Sequence, residues 1–177
     1  MMNRRHFLIA GASAAVPALG QGFYGRNTAS PPKVAEAMIG GKPVKVNYYA
    51  PSMRGRKIMG DLVPYREVWC TGANWCTTIT SEQAGLEIGP MKLPAGTYAL
   101  WTIPDEKQWQ LILNKSIHAF HLDYDASQDI GRTKMNVKAL PEPVEQMRIE
   151  LRPEGGNKGT LAVMWERTEA SILFALV

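Results

Sequence analysis

The chain has 177 residues, a formal charge of +4, and a composition 45% hydrophobic and 20% charged. That size suits one domain, and the weak charge argues against a general nucleic-acid or membrane-surface binder. After the first twenty residues no run of about 18 apolar residues occurs, so no stable membrane insertion is expected of the mature part.

In chain order, the first element is Arg4-Arg5 followed by a short Ala/Gly-rich apolar stretch ending near Gly20. The pattern predicts a twin-arginine-type signal peptide over residues 1–20, cut before Gln21. It is too short to span a bilayer of about 30 Å. The alternative is a disordered N-terminus with a chance arginine pair. Export places the protein in the periplasm or outside the cell, and a twin-arginine route leaves room for a preloaded cofactor without requiring one. With Arg4 and Arg5 gone, the +4 falls to about +2. The remaining 157 of 177 residues are enough to bury about 68–70% of the unfolded surface, so no cofactor is expected on folding grounds.

Residues 21–33, rich in Gly, Pro and small polar residues, read as a flexible linker before a domain over 34–177. Val34–Ile39 and Val44–Ala50 flank Gly40-Gly41, a hairpin cue. Pro51 to Pro64 is irregular. Glu67–Cys70 and Cys76–Ser81 are further strands, followed by a brief Leu86–Ile88. Thr97–Ile103 and Gln108–Asn114 alternate apolar and polar residues across the turn Pro104-Asp105-Glu106-Lys107. Residues 115–131 are polar with at most one helical turn. Lys134–Leu140, Val144–Leu151, Gly159–Arg167 and Ala170–Leu176 complete the set. No sustained helical period and no 20–50-residue repeat occurs. Roughly ten short strands predict an all-β, antiparallel β-sandwich or jelly-roll. The last run, Ser171 to Val177, is apolar on both faces. It predicts either a central strand covered on both sides or part of a homodimer interface.

Three groups could carry chemistry. Cys70 and Cys76, separated by a Gly- and Asn-containing turn, would pair as a disulfide in an oxidising compartment; a redox pair or two metal thiolates are the alternatives. His118, His121, Asp123 and Asp125 could ligate a divalent metal, although their spacing matches no established site and incidental loop residues would look the same. Arg54 and Arg56, with Lys57 and a candidate fourth member in Arg66, could clamp a carboxylate or phosphate. With Tyr65, Trp69, Asn74 and Trp75 they would supply aromatic walls and an amide for a ligand site. The plainer readings are a solvated basic loop and an ordinary core tryptophan. No serine-nucleophile, P-loop or dinucleotide signature is present, and no glycosidase carboxylate pair can be named.

Tyr48 to Tyr65, Val68-Trp69-Cys-Thr-Gly72-Ala73-Asn74 and Leu93-Pro94-Ala95-Gly96-Thr97-Tyr98 together resemble an exported bacterial family catalogued as domain of unknown function 2911, over about Pro32 to Pro153. The resemblance implies a compact β domain and export but no reaction. The chain departs from the family pattern at Cys70, Trp75 and Cys76, where an arginine, an acidic residue and a small or hydroxylated residue are usual. The expectation is therefore a non-enzymatic binding or interaction module of the cell envelope, taking a small molecule or a protein. A metal-binding protein or metal-dependent enzyme using the His/Asp cluster is the alternative.

Overall fold

The structure, a computed structural model, describes residues 29–177. The predicted signal peptide and most of the predicted linker lie outside the described residues. Among the described residues nine strands follow in order: β1 (Pro32–Ile39), β2 (Lys42–Tyr49), β3 (Thr77–Ser81), β4 (Leu86–Ile88), β5 (Met91–Leu93), β6 (Gly96–Ile103), β7 (Gln108–Asn114), β8 (Asp129–Pro153) and β9 (Lys158–Leu176). A single 3₁₀ turn, Ala126–Gln128, precedes β8. Every strand pair is antiparallel.

The all-β antiparallel class is as expected. The layering differs in form: the strands make one continuous sheet, ordered β1-β2-β3-β6-β7-β8-β9-β4-β5. That sheet bends so that β1, at one edge, lies against β8 and β9. Just past β2, Met53 N–H donates to Glu145 O (2.8 Å) and Met147 N–H donates to Pro51 O (2.8 Å), which fastens this segment to the middle of β8. Alternation supplies the inner face. Val44, Val46 and Tyr48 of β2 point in, as do Leu100 of β6, Trp109, Leu111 and Leu113 of β7, and Leu161, Val163 and Trp165 of β9. Gly40 and Gly41 turn the first hairpin at φ +55° and +77°, the paired positive φ of a tight two-residue hairpin.

Several predicted strands run together. Lys134–Leu140 and Val144–Leu151 are both parts of β8, and Gly159–Arg167 and Ala170–Leu176 are both parts of β9. The sequence shows a break because the β8–β9 register shifts between Ala139 and Val144 and again before Arg148, opposite Glu166 at φ 54°. Such irregularities bend a strand without ending it. Glu67–Cys70 is not a strand; only Trp69 bridges there, to Thr102. Residues 172–177, the end of β9 and the residue after it, are covered on one face only: Ile172, Phe174 and Leu176 are buried, whereas Leu173 and Val177 are exposed.

Candidate functional site

Residues 99–102 of β6 and 111–114 of β7 are buried on both faces. Alternation turns Ala99, Trp101 and Ile112 outward, away from the main core, and these must be covered by something other than strands. Two loops do this. Residues 67–76 bring Cys70 and Cys76, and residues 115–125 bring Ala119, forming a small outer core with Trp101 at its centre.

The first loop is held by its own backbone. Trp69 N–H donates to Thr102 O (2.8 Å) and Thr102 N–H returns to Trp69 O (2.9 Å). The Thr71 hydroxyl meets that of Thr102 at 3.0 Å, and Thr77 Oγ1 donates to Thr71 O at 2.8 Å. Gly72 is required: a Cβ there would stand 2.9 Å from Tyr49 O. Thr71 and Asn74 have φ 54° and 61°, conformations that non-glycine residues hold only where surroundings enforce them.

The second loop docks on the first. Cys76 N–H donates to Ala119 O (2.9 Å) and His121 N–H donates to Asn74 O (2.7 Å), with His121 Nδ1 3.1 Å from the same oxygen. Its far end is tied down by a polar knot. Tyr124 Oη donates to Asp129 Oδ2 at 2.6 Å, and Arg132 reaches the same carboxylate oxygen at 2.9 Å and the tyrosine oxygen at 2.9 Å. Asn114 Nδ2 donates to Asp129 Oδ1 at 2.9 Å. Burial, then the hydrogen bond to Asp129, pushes the Tyr124 phenol up to about 12, so it stays a donor. Its ring packs on Trp101 with centroids 5.1 Å apart.

Where the loops meet, they present apolar side chains to solvent. Trp75 (45% exposed), Phe120 (36%) and Leu122 (77%) stand out together. Trp75 meets Phe120 edge to face at 5.6 Å and 80°, over a backbone bridge between the same two residues. The Phe120 ring lies 4.2 Å from that of His121.

The six residues proposed from sequence for ligand binding take separate positions. Arg54 N–H donates to Glu145 Oε1 (2.9 Å) and its guanidinium to Ala29 O (3.1 Å). Arg56 is turned onto its own loop, donating to Met53 O (2.9 Å) and Ser52 O (2.8 Å). Tyr65 packs against the main core and over Gly60. Trp69 faces inward, stacked on Trp165 at 5.9 Å and edge-on to Trp109 at 6.0 Å, with Nε1 donating to Gly72 O. Asn74 Nδ2 donates to Ser30 O at 3.5 Å. Of the six, Trp75 alone belongs to the exposed aromatic surface.

Two expectations are corrected. Cys70 and Cys76 are buried free thiols, not a disulfide. They serve as small apolar filling in the outer core, and Cys76 Sγ donates to Ser116 O at 3.7 Å. Burial pushes the Cys70 thiol up to about 12 and raises that of Cys76, so neither is a ready thiolate. The four metal candidates do not converge: among the described residues no group of three or more His, Cys, Asp and Glu is placed to hold an ion. His121 is spent on Asn74, and Asp125 caps the 3₁₀ turn by accepting from Ser127 N–H at 2.9 Å.

Phe120 and Leu122 escape a reading that weighs only the histidines and aspartates around them. The signal available was two large apolar residues at alternate positions in a polar loop. A family model described as "Protein of unknown function (DUF2911)" matches residues 30–174, further toward the C-terminus than the motifs alone indicate. No curated protein and no solved structure matches the chain.

Proposed function

We propose, for a chain that belongs to the DUF2911 family, the role of an exported interaction module of the cell envelope that docks a protein partner on the surface formed by Trp75, Phe120 and Leu122. The observation that carries this is the exposure of two aromatic rings in contact, with an exposed leucine two residues further along the same loop, on loops whose backbones are pinned to each other. Large apolar side chains held rigidly in solvent lose little conformational entropy on burial, and aromatic residues are the usual anchors of protein interfaces. A projecting edge-to-face pair suits a partner's surface better than an enclosed small molecule. The left-handed Thr71 and Asn74 support the same reading, because strain is retained where a fixed loop shape is useful. The Arg4-Arg5 segment supports export.

A photo-crosslinking amino acid at position 75, in the native host, should yield a discrete adduct with another protein. The same residue at the exposed Val34 should not. Equal or absent adducts at both positions would remove the surface from consideration. Export is tested separately: replacing Arg4 and Arg5 with lysine should leave the precursor in the cytoplasm.

A further inference from the structure

A second surface lies apart from the aromatic one, at the Pro104–Lys107 turn between β6 and β7. A cleft of about 430 Å³ opens there, lined by Arg66, Asp105, Glu106, Lys107, Gln108 and Gln110. Its shape is fixed by Arg66, which stands at φ 66° with its N–H donating to Pro104 O at 2.8 Å. A non-glycine residue in that conformation aims its side chain where an extended one would not.

The lining groups fall into two sets. Asp105 is satisfied, with Oδ2 3.2 Å from Arg66 Nε and Oδ1 accepting from Glu106 N–H at 2.8 Å. That contact uses only Nε of Arg66, and the terminal nitrogens of this exposed side chain make no hydrogen bond among the described residues. The side chains of Glu106, Lys107, Gln108 and Gln110 make no hydrogen bond or ion pair among the described residues. Lys134, directly across the ladder from Gln110, is likewise unpaired and exposed. The lining thus carries two cations and two carboxylates, Asp105 being committed to Arg66, and Lys134, opposite Gln110 on the neighbouring strand, adds one positive charge beside it. Gln108 and Gln110 project from the same face of β7, about 7 Å apart along the strand, comparable with one sugar ring. Each carboxamide offers a donor and an acceptor together, as a pair of neighbouring hydroxyls requires.

We propose that this cleft binds a polyhydroxylated carboxylate of one or two sugar units, with the carboxylate on Arg66 and Lys107 and the hydroxyls on Gln108 and Gln110. The site does not depend on the aromatic surface and would stand if that reading failed. D-glucuronate, D-glucose and acetate are titrated into the protein while the side-chain amide signals of Gln108 and Gln110 are followed by NMR. Glucuronate should shift both saturably and bind roughly fivefold or more tightly than glucose or acetate. Lys107→Ala and Gln110→Ala, both at exposed positions, should each weaken glucuronate by about fivefold at unchanged Tm. Glucuronate no tighter than acetate would reveal a plain anion site, and no tighter than glucose a non-specific polar one. Either result, an absence of shifts, or unaltered binding by the two variants overturns the proposal.

Discussion

The molecule has two cores on opposite faces of one sheet, and they are built by different means. The inner core is made mainly by strands: alternation along β7 and β9 turns Trp109 and Trp165 inward, where Trp69 of the 67–76 loop packs on both, and side chains from both ends of the sheet meet there. The outer core is made by loops: Trp101, Ala99 and Ile112 are covered by two irregular segments held with backbone bridges and the Asp129 knot. Strands satisfy their backbone groups through the ladder whatever side chains they carry, whereas loops need particular residues at particular positions. The outer core is therefore the part that specific polar contacts decide, and the proposed binding surface sits on its lid.

The largest effect should come from the inner core. Trp109→Ala removes a fully buried ring and should cost about 3–5 kcal/mol, read as a global fall in Tm with cooperative unfolding retained or lost outright. Asp129→Ala should cost about 2 kcal/mol, because it strips Tyr124, Arg132 and Asn114 of a common acceptor. Hydrogen exchange should then quicken in residues 115–125 while β8 and β9 stay protected. Uniform loss of protection would mean that the two cores unfold as one.

Acid sensitivity belongs to the outer face of β8 and β9. Glu169, 4% exposed, receives Arg152 at 3.0 and 3.1 Å and Lys138 at 3.1 Å. The Arg152 hydrogen bonds hold its carboxyl below the ordinary range. Its folded state thus binds a proton less readily than the unfolded chain, and the stability it contributes is present above about pH 4.3 and lost as pH falls through the lower folded value. Glu169→Gln should lower stability by about 2 kcal/mol at neutral pH and flatten the acid dependence. The smallest stability change is expected on the lid itself. Trp75→Ala should move Tm by the equivalent of about 0.5 kcal/mol or less while abolishing the position-specific interaction. The thiols report on the same lid: Cys70 and Cys76 should resist alkylation in the native protein, and both should react after unfolding without reductant. A bridge would show as no reaction.

The strand content was legible because alternation is written into single residues. Tyr98 to Ile103 against Trp109 to Leu113 needs no partner to be read as two paired strands, and Gly40-Gly41 marks its own turn. The continuity of β8 and β9 was not, because a bulge interrupts the apolar pattern just as a loop does. The site was less legible still. Trp69 and Trp75 stand six residues apart in similar company, yet one is stacked in the inner core and the other faces solvent. Nothing local separates them, since the difference is made by β9 placing Trp165 beneath one and by the 115–125 loop bringing Phe120 beside the other.

By itself, then, the sequence determined an all-β antiparallel domain and its family motifs, because period-two burial and turn chemistry are local properties. Only the tertiary structure decided that the strands form one bent sheet, that the cysteines fill a small outer core as thiols, and which aromatic residues remain exposed. Those outcomes depend on long-range packing between segments far apart in the chain, and no window of sequence contains both partners.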